Sequence, residues 1–370
     1  MKKFALLLLL LVVFAVSLLS CASDDPMALL NKKVDVTIND IPFQTEKYYR
    51  IPYTLKLWEY EKDGLVLEQI QILDYSTKDV LMTIDKAELP VLYKDPLSAN
   101  PYFTPDTITN YYLSIQLPIP LANRKPARIS HRFTFTDTIR DKTVTIEGAV
   151  FSPRLNETPL AIASPLKDNN MVFINQSTMA YHFYVLIFVD GNMYRGERFA
   201  FDSLQMNDDY SKYFDGDPKQ NESYFNYKDT LYAVADGTVL MIKDGRPENN
   251  GDAKDAPITT LDELGGNYLV LDIGGGHYAF YAHCVPGSFQ VKVGDIVTEG
   301  QPLALLGNSG NSDAPHLHFE ITDGPDILFS HGVPFVLKGY TKLGEMESGP
   351  AVPVAVTNSM MEETTVIGFE

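Results

Sequence analysis

Cysteine and positive charge are both scarce in this chain, and beyond its first 21 residues so are long hydrophobic runs. Cys21 and Cys284 are the only cysteines among 370 residues. Stability therefore has to come from hydrophobic cores, which a chain of this length can build. Lysine and arginine total 30 against 48 aspartates and glutamates, giving a formal charge of -18. That field repels nucleic-acid phosphates and anionic lipid headgroups, so no nucleic-acid partner is expected. After residue 21 no apolar run approaches membrane length, and the remainder is expected to be soluble. No internal repeat is apparent. What is present, 45% hydrophobic residues with 23 prolines, 24 glycines and 11% aromatics, reads as β-rich rather than as a helical bundle. The length suggests two domains.

Lys2 and Lys3 precede an apolar run from Phe4 to Leu19. The run is short for a hydrocarbon core of roughly 30 Å but suits the apolar region of a signal peptide. Leu18-Leu19-Ser20-Cys21 then resembles the lipobox of bacterial lipoproteins. That resemblance implies cleavage before Cys21 and acylation of its sulfur and amino group. The expectation is a signal peptide and lipobox over 1–21, with the mature chain held by lipid to a bacterial membrane, on its periplasmic or extracellular face. Cys284 then has no intrachain partner.

From about Val34 to Phe151, apolar and polar residues alternate in short runs. Tyr53, Leu55 and Leu57 alternate with Thr54 and Lys56, and Asp63-Gly64 reads as the turn of a hairpin into Leu65–Ile70. Phe133 and Phe135 share a face further on, and Val144, Ile146 and Val150 repeat the pattern. Such spacing predicts an immunoglobulin-like β-sandwich over 22–155, with His131 read as a structural or surface histidine. Residues 152–159 read as a linker. A second β-rich domain is expected over 156–345. Residues 346–370, acidic and without clear period, read as a flexible tail.

The chemistry concentrates in the second domain. Leu231–Ala235 with Thr238–Ile242, Asn267–Asp272 with His277–His283, and Val291–Asp295 with Glu299–Leu303 all read as β-hairpins, the last of a kind found in barrel-sandwich folds. In the Pro315-His-Leu-His-Phe-Glu320 run, strand alternation puts His316 and His318 on one face while Leu317 and Phe319 enter the core. Two histidines projecting into a cleft suit one metal ligand and one proton-transfer group. By the same count His277, Ala279, Tyr281 and His283 share a face, and Cys284 points the other way as a buried structural thiol.

Together these segments resemble the lysostaphin and LytM type of zinc metallopeptidase, which cleaves peptides of bacterial peptidoglycan. The matching residues are Tyr232–Thr238, Gly266–Val270, Tyr281–His283, Val291–Asp295, Gly307–Gly310 and Pro315–Glu320, in the family's order. The resemblance implies an all-β chain whose second domain has the barrel-sandwich, or duplicated hybrid motif, fold. It implies one Zn2+ per chain, with His318 and Asp202 as ligands and His283 and His316 as the catalytic histidines. The substrate would be peptidoglycan peptides, and other cell-wall enzymes are conceivable partners.

One residue departs from that pattern. Arg198 stands four residues before Asp202, where the family places its first zinc-binding histidine, and a guanidinium offers no lone pair to a metal. Strand alternation puts Arg198, Ala200 and Asp202 on one face. Two outcomes remain open. In one, His182 supplies the missing nitrogen: a three-residue loop at 190–192 would bring it diagonally beside Asp202, whereas a two-residue loop would turn it away. In the other, Arg198 pairs with Asp202, its charge replaces the metal, and the chain is a non-catalytic binding or regulatory lipoprotein. The leading expectation is a lipid-anchored cell-envelope zinc metallopeptidase acting on peptidoglycan.

Overall fold

The computed structural model describes residues 34–89, 110–175, 180–183, 185–189, 192–253 and 257–369. The expected export signal and Cys21 lie outside the described residues. Among those described, regular structure is almost entirely strand, and no helix is long and apolar enough to cross a membrane.

Alternation along the first strands buries one face of each. Strands β1 (Val34–Asn39), β2 (Phe43–Gln44), β3 (Tyr48–Trp58), β4 (Leu65–Asp74), β5 (Val80–Asp85), β6 (Asn110–Pro120), β7 (Ile129–Asp137) and β8 (Lys142–Phe151) form two antiparallel sheets. In the first sheet β1 and β2 follow one another along one edge of β3, while β6 pairs along the other. The second has the order β5-β4-β7-β8. Tyr53, Leu55 and Leu57 of the first sheet and Ile70, Ile72, Phe133 and Phe135 of the second belong to one buried cluster, so the sheets close on a shared core. The expected hairpin at Asp63-Gly64 does not form. Gly64, at φ 73°, instead ends a 3-10 turn over Tyr60–Asp63, and β4 pairs with β5 and β7 in the other sheet. A positive-φ glycine serves a sheet-to-sheet crossing as well as a hairpin, and buried Tyr60 anchors the crossing.

His131 lies wholly inside this core. Tyr53 Oη is 2.8 Å from its Nε2, and its Nδ1 is 2.9 Å from the Ala149 carbonyl oxygen, so both ring nitrogens are used by the neutral form. Burial pushes its pKa down to about 4, against an unfolded value near 6.5. The unfolded chain thus takes up this proton before the folded one. His131 should leave stability intact above about pH 6.5 and remove roughly 3 kcal/mol as pH falls to about 4. Denaturant titrations across that window should show a shallower pH slope for His131→Gln than for the wild type. Parallel slopes would refute the assignment.

The second half contains β9 (Leu160–Ile162), β10 (Met171–Ile174), a one-turn helix α1 (Ala180–Phe183), β11 (Ile187–Val189), β12 (Asn192–Tyr194), β13 (Phe201–Gln205), β14 (Thr230–Tyr232) and β15 (Gly237–Lys243). After these come β16 (Tyr268–Asp272), β17 (Tyr278–Ala282), β18 (Ile296–Val297), β19 (Pro302–Leu305), β20 (Leu317–Thr322), β21 (Phe335–Glu345), β22 (Gly349–Ser359) and β23 (Thr365–Gly368). One sheet runs β18-β15-β16-β17-β20-β13-β10-β23-β21-β22, with β9 beside β21. Its core gathers Phe173, Phe201, Leu231, Tyr281, Leu317 and Phe319, among others. Phe43 from β2 joins it and meets Phe199 edge-on at 6.0 Å, so the two halves share apolar packing.

Of the three expected hairpins, that between β16 and β17 forms, around three positive-φ glycines at 274–276. The other two do not: β14 pairs with β19, and β15 with β16 and β18. Ala233 and Val234 are buried in succession, which breaks strand alternation and takes the chain out of the sheet before Asp236-Gly237. The expected flexible tail is also corrected. Residues 349–359 form β22 against β21, and β23 runs between β10 and β21 with Val366 and Ile367 fully buried. The acidic residues of this stretch masked its short apolar runs. One of those acids, Glu362, is itself buried and paired with Arg50 at 2.8 Å.

Candidate metal centre and active-site cleft

Register builds the site. Across the sheet His318 of β20 lies opposite Asp202 of β13 on one side and Ala282 of β17 on the other. Leu317, Phe319 and Ile321 go into the main core, so His318 points to the opposite face, as alternation predicts. There His318 Nδ1 is 3.0 Å and His316 Nε2 3.5 Å from Asp202 Oδ1. His182 Nε2 is 3.6 Å from Asp202 Oδ2. These side chains line a cleft of about 480 Å3.

His182 arrives by a route different from either one considered. The β11–β12 register pairs Val189 with Asn192, a two-residue connection, so strand pairing alone would have turned His182 away. However, His182 is not on that strand. It sits in α1, which brings its ring edge-on to His318 with centroids 4.8 Å apart. His182, Asp202 and His318 each offer an atom within 4.8 Å of the others, which no other group of three metal-binding side chains does among the described residues. Two imidazole nitrogens and a carboxylate are a donor set that zinc accepts, so these residues fit the metal.

Arg198 takes no part in this cluster, which corrects its expected strand position and decides against its pairing with Asp202, one of the two outcomes left open. It lies in a 3-10 turn over Gly196–Phe199 and is fully buried. Its Nε is 2.8 Å from Asp40 Oδ2, its Nη1 donates to Thr54 Oγ1 and Ser114 Oγ, and its Nη2 donates to the Tyr53 carbonyl. The guanidinium thus engages the N-terminal sandwich rather than Asp202. A tight turn can cap a strand without any sign in its hydrophobic pattern, which is why alternation misplaced it.

His283 also departs from its expected face. Ala279 and Tyr281 enter the main core, whereas Phe280 and Ala282 face the other way. His283 follows the end of β17 with φ 64°, a left-handed conformation that breaks the alternation and brings its ring into the cleft. Its Nδ1–H donates to the Ser309 carbonyl at 2.7 Å, and His316 Nδ1–H donates to the Ala314 carbonyl at 2.7 Å. In that tautomer His283 keeps Nε2 as its acceptor, whereas His316 Nε2 faces Asp202 Oδ1. The two ring centroids are 4.6 Å apart.

The surroundings set these groups apart electrostatically. Burial pushes the Asp202 carboxyl up, but His316 and His182 beside it outweigh this and hold it well below the usual carboxylate range. Burial, followed by the His316 charge, pushes His283 well down. Burial also disfavours charge on His316, yet Asp202 beside it raises its pKa overall.

Three nearby residues went unread in the sequence. Asn175, just past β10, donates from Nδ2 to Asp202 Oδ2 at 2.8 Å and fixes the carboxylate. Glu197 lines the cleft beside His182. Glu320, on β20, is fully buried with neither carboxylate oxygen hydrogen-bonded, and burial followed by Glu197 pushes its pKa well up. Its place two residues after His318 was the available signal. No local pattern marked Asn175. Cys284 is a buried core thiol as expected, and His277 lies half-buried in its turn.

Residues 224–327 match Peptidase family M23. The chain is 34% identical over 91 residues to the peptidoglycan DD-endopeptidase ShyB of Vibrio cholerae, covering 25% of this chain and 17% of that protein. It is 36% identical over 84 residues to lysostaphin of Staphylococcus simulans, covering 22% of this chain and 17% of that one. The match therefore spans under a fifth of either relative. Among solved structures, the lysostaphin catalytic domain from Staphylococcus simulans is similar at 24% identity and a TM-score of 0.22, over 33% of this chain and 84% of that one. His283, His316 and His318 fall within the matched stretch, while His182 and Asp202 come from the strands and helix before it. Residues 224–327 thus match the M23 peptidase family, and it is in this part of the chain that the similarity to lysostaphin and ShyB lies.

Proposed function

We propose that this chain is a zinc metalloendopeptidase that hydrolyses peptide bonds of peptidoglycan, held at a bacterial membrane by lipid on Cys21. The observation that carries the catalytic part is the clustering of His182, Asp202 and His318 donor atoms within 4.8 Å in the cleft that also holds His283 and His316. The domain family and its peptidoglycan-cleaving relatives support the substrate class. The lipid part rests on the Leu18–Cys21 sequence.

His182, Asp202 and His318 would hold the ion. When bound, zinc supplies Lewis acidity toward a scissile carbonyl and acidifies water. Asn175 keeps Asp202 oriented through its 2.8 Å hydrogen bond. The backbone carbonyls of Ser309 and Ala314 fix His283 and His316, leaving Nε2 of His283 open at the cleft and Nε2 of His316 facing Asp202. From there one ring can take a proton from the attacking water and the other can donate to the developing oxyanion or the leaving amine. The non-catalytic alternative required Arg198 on Asp202, and Arg198 is engaged by Asp40 instead.

Elemental analysis of the purified chain, paired with release of soluble fragments from peptidoglycan, tests the proposal. About one zinc per chain and chelator-sensitive release are expected. Full release after chelation, or no zinc uptake on reconstitution, would defeat it.

A further inference from the structure

The residue at the family's missing-ligand position has its own task. Arg198 is the largest fully buried side chain among the described residues, and it joins three parts of the molecule. On one side its guanidinium meets Asp40, Thr54, Ser114 and the Tyr53 carbonyl, all in the N-terminal sandwich. On the other, its Cζ lies 4.2 Å from the centroid of the Phe183 ring, a cation–π stack. Phe183 directly follows His182 in α1. Along the chain Arg198 is also four residues from Asp202, through the turn that leads into β13.

A helix of four residues has no intrinsic stability, so α1 keeps its place through tertiary contacts. The Phe183 ring supplies them: it is buried, stacks under Arg198 and meets Phe199 at 6.2 Å. Arg198 is held in turn by Asp40, whose Oδ2 also takes Arg195 Nη1 at 2.7 Å. A single carboxylate shared by two buried guanidiniums is costly to desolvate, and the attested use of such networks is to fix one arrangement.

We propose that Asp40 and Arg198 are positioning residues for the metal centre, acting through Phe183 to place His182. The N-terminal sandwich is then a working part of the site rather than a spacer. This rests on the metal reading above and extends it to residues that touch no ligand.

The test measures zinc affinity of the full chain by competition with a chromogenic chelator, at a temperature where circular dichroism shows each variant folded. Asp40→Asn removes the anchor, and Phe183→Leu removes the stacking ring while keeping an apolar side chain. Phe133→Leu, in the sandwich core and not among the hydrogen-bond or ring partners described for Arg198, controls for general destabilisation. Asp40→Asn and Phe183→Leu should each weaken zinc binding about tenfold or more, in the range typical of outer-sphere partners, and shift the absorption bands of the cobalt-substituted protein. Phe133→Leu should lower the Tm with zinc affinity unchanged. If Asp40→Asn fails to fold, Phe183→Leu decides. Wild-type zinc affinity in the folded variants, or an equal loss in Phe133→Leu, overturns this inference and leaves the metal reading standing. A wild-type chain that takes up no zinc overturns both.

Discussion

His182→Ala should yield a folded chain that no longer retains zinc. His182 is one of three side chains that bring donor atoms within 4.8 Å of each other, and α1 carries it independently of the strands that hold the other two. Losing a direct ligand should weaken zinc binding by more than the roughly 100-fold that outer-sphere changes reach, and hydrolysis should fall to background with it. The cost in stability should stay near 1 kcal/mol, because His182 lies at the cleft and not in the packed core. Zinc content by elemental analysis, read beside a thermal melt, separates the two effects. Retention of stoichiometric zinc would remove His182 from the ligand set and reopen the question of what fills the position that Arg198 does not.

Alanine at His283 or His316 should have the opposite signature: zinc retained, chemistry lost. Neither ring belongs to the donor triple, and both are tied by Nδ1 to backbone carbonyls. Proton transfer by a positioned side chain contributes roughly 10²- to 10⁴-fold, so each variant should lose turnover by about that factor on peptidoglycan fragments. The loss should appear in kcat more than in KM, since the rings act on the reacting atoms and not on substrate binding. Unchanged turnover in either variant would sink its catalytic role. Zinc lost together with activity would instead place that histidine among the ligands.

The sequence exposed the parts of this centre that follow strand periodicity. His316 and His318 were legible because two residues make one pleat, and the partner rows of β13 and β20 then set Asp202 beside His318. The rest was hidden wherever the backbone leaves periodic geometry. His182 was singled out as a possible ligand, but on strand pairing that the β11–β12 register contradicts. The helix that places it spans four residues, too short for a helical period to show in the sequence. His283 escaped its assigned face through one left-handed residue. Arg198 was read as a defect in the metal site because its partners Asp40, Thr54 and Ser114 lie far away in sequence. The same limit applies to the fold: the alternating strands of the sandwich were legible, but not which sheet β4 would join, because tertiary packing and not local turn chemistry decides that.

The placement of β23 also bears on the order of folding. β10 is the outer neighbour of the strand that carries Asp202, and its own next partner is β23, where Met171 pairs with Ile367. Nearly two hundred residues separate the partners of that row along the chain. A contact so distant in sequence is slow to form. The strands beside the cleft therefore keep an unpaired edge until residues 365–368 pair, and only then is the sheet continuous.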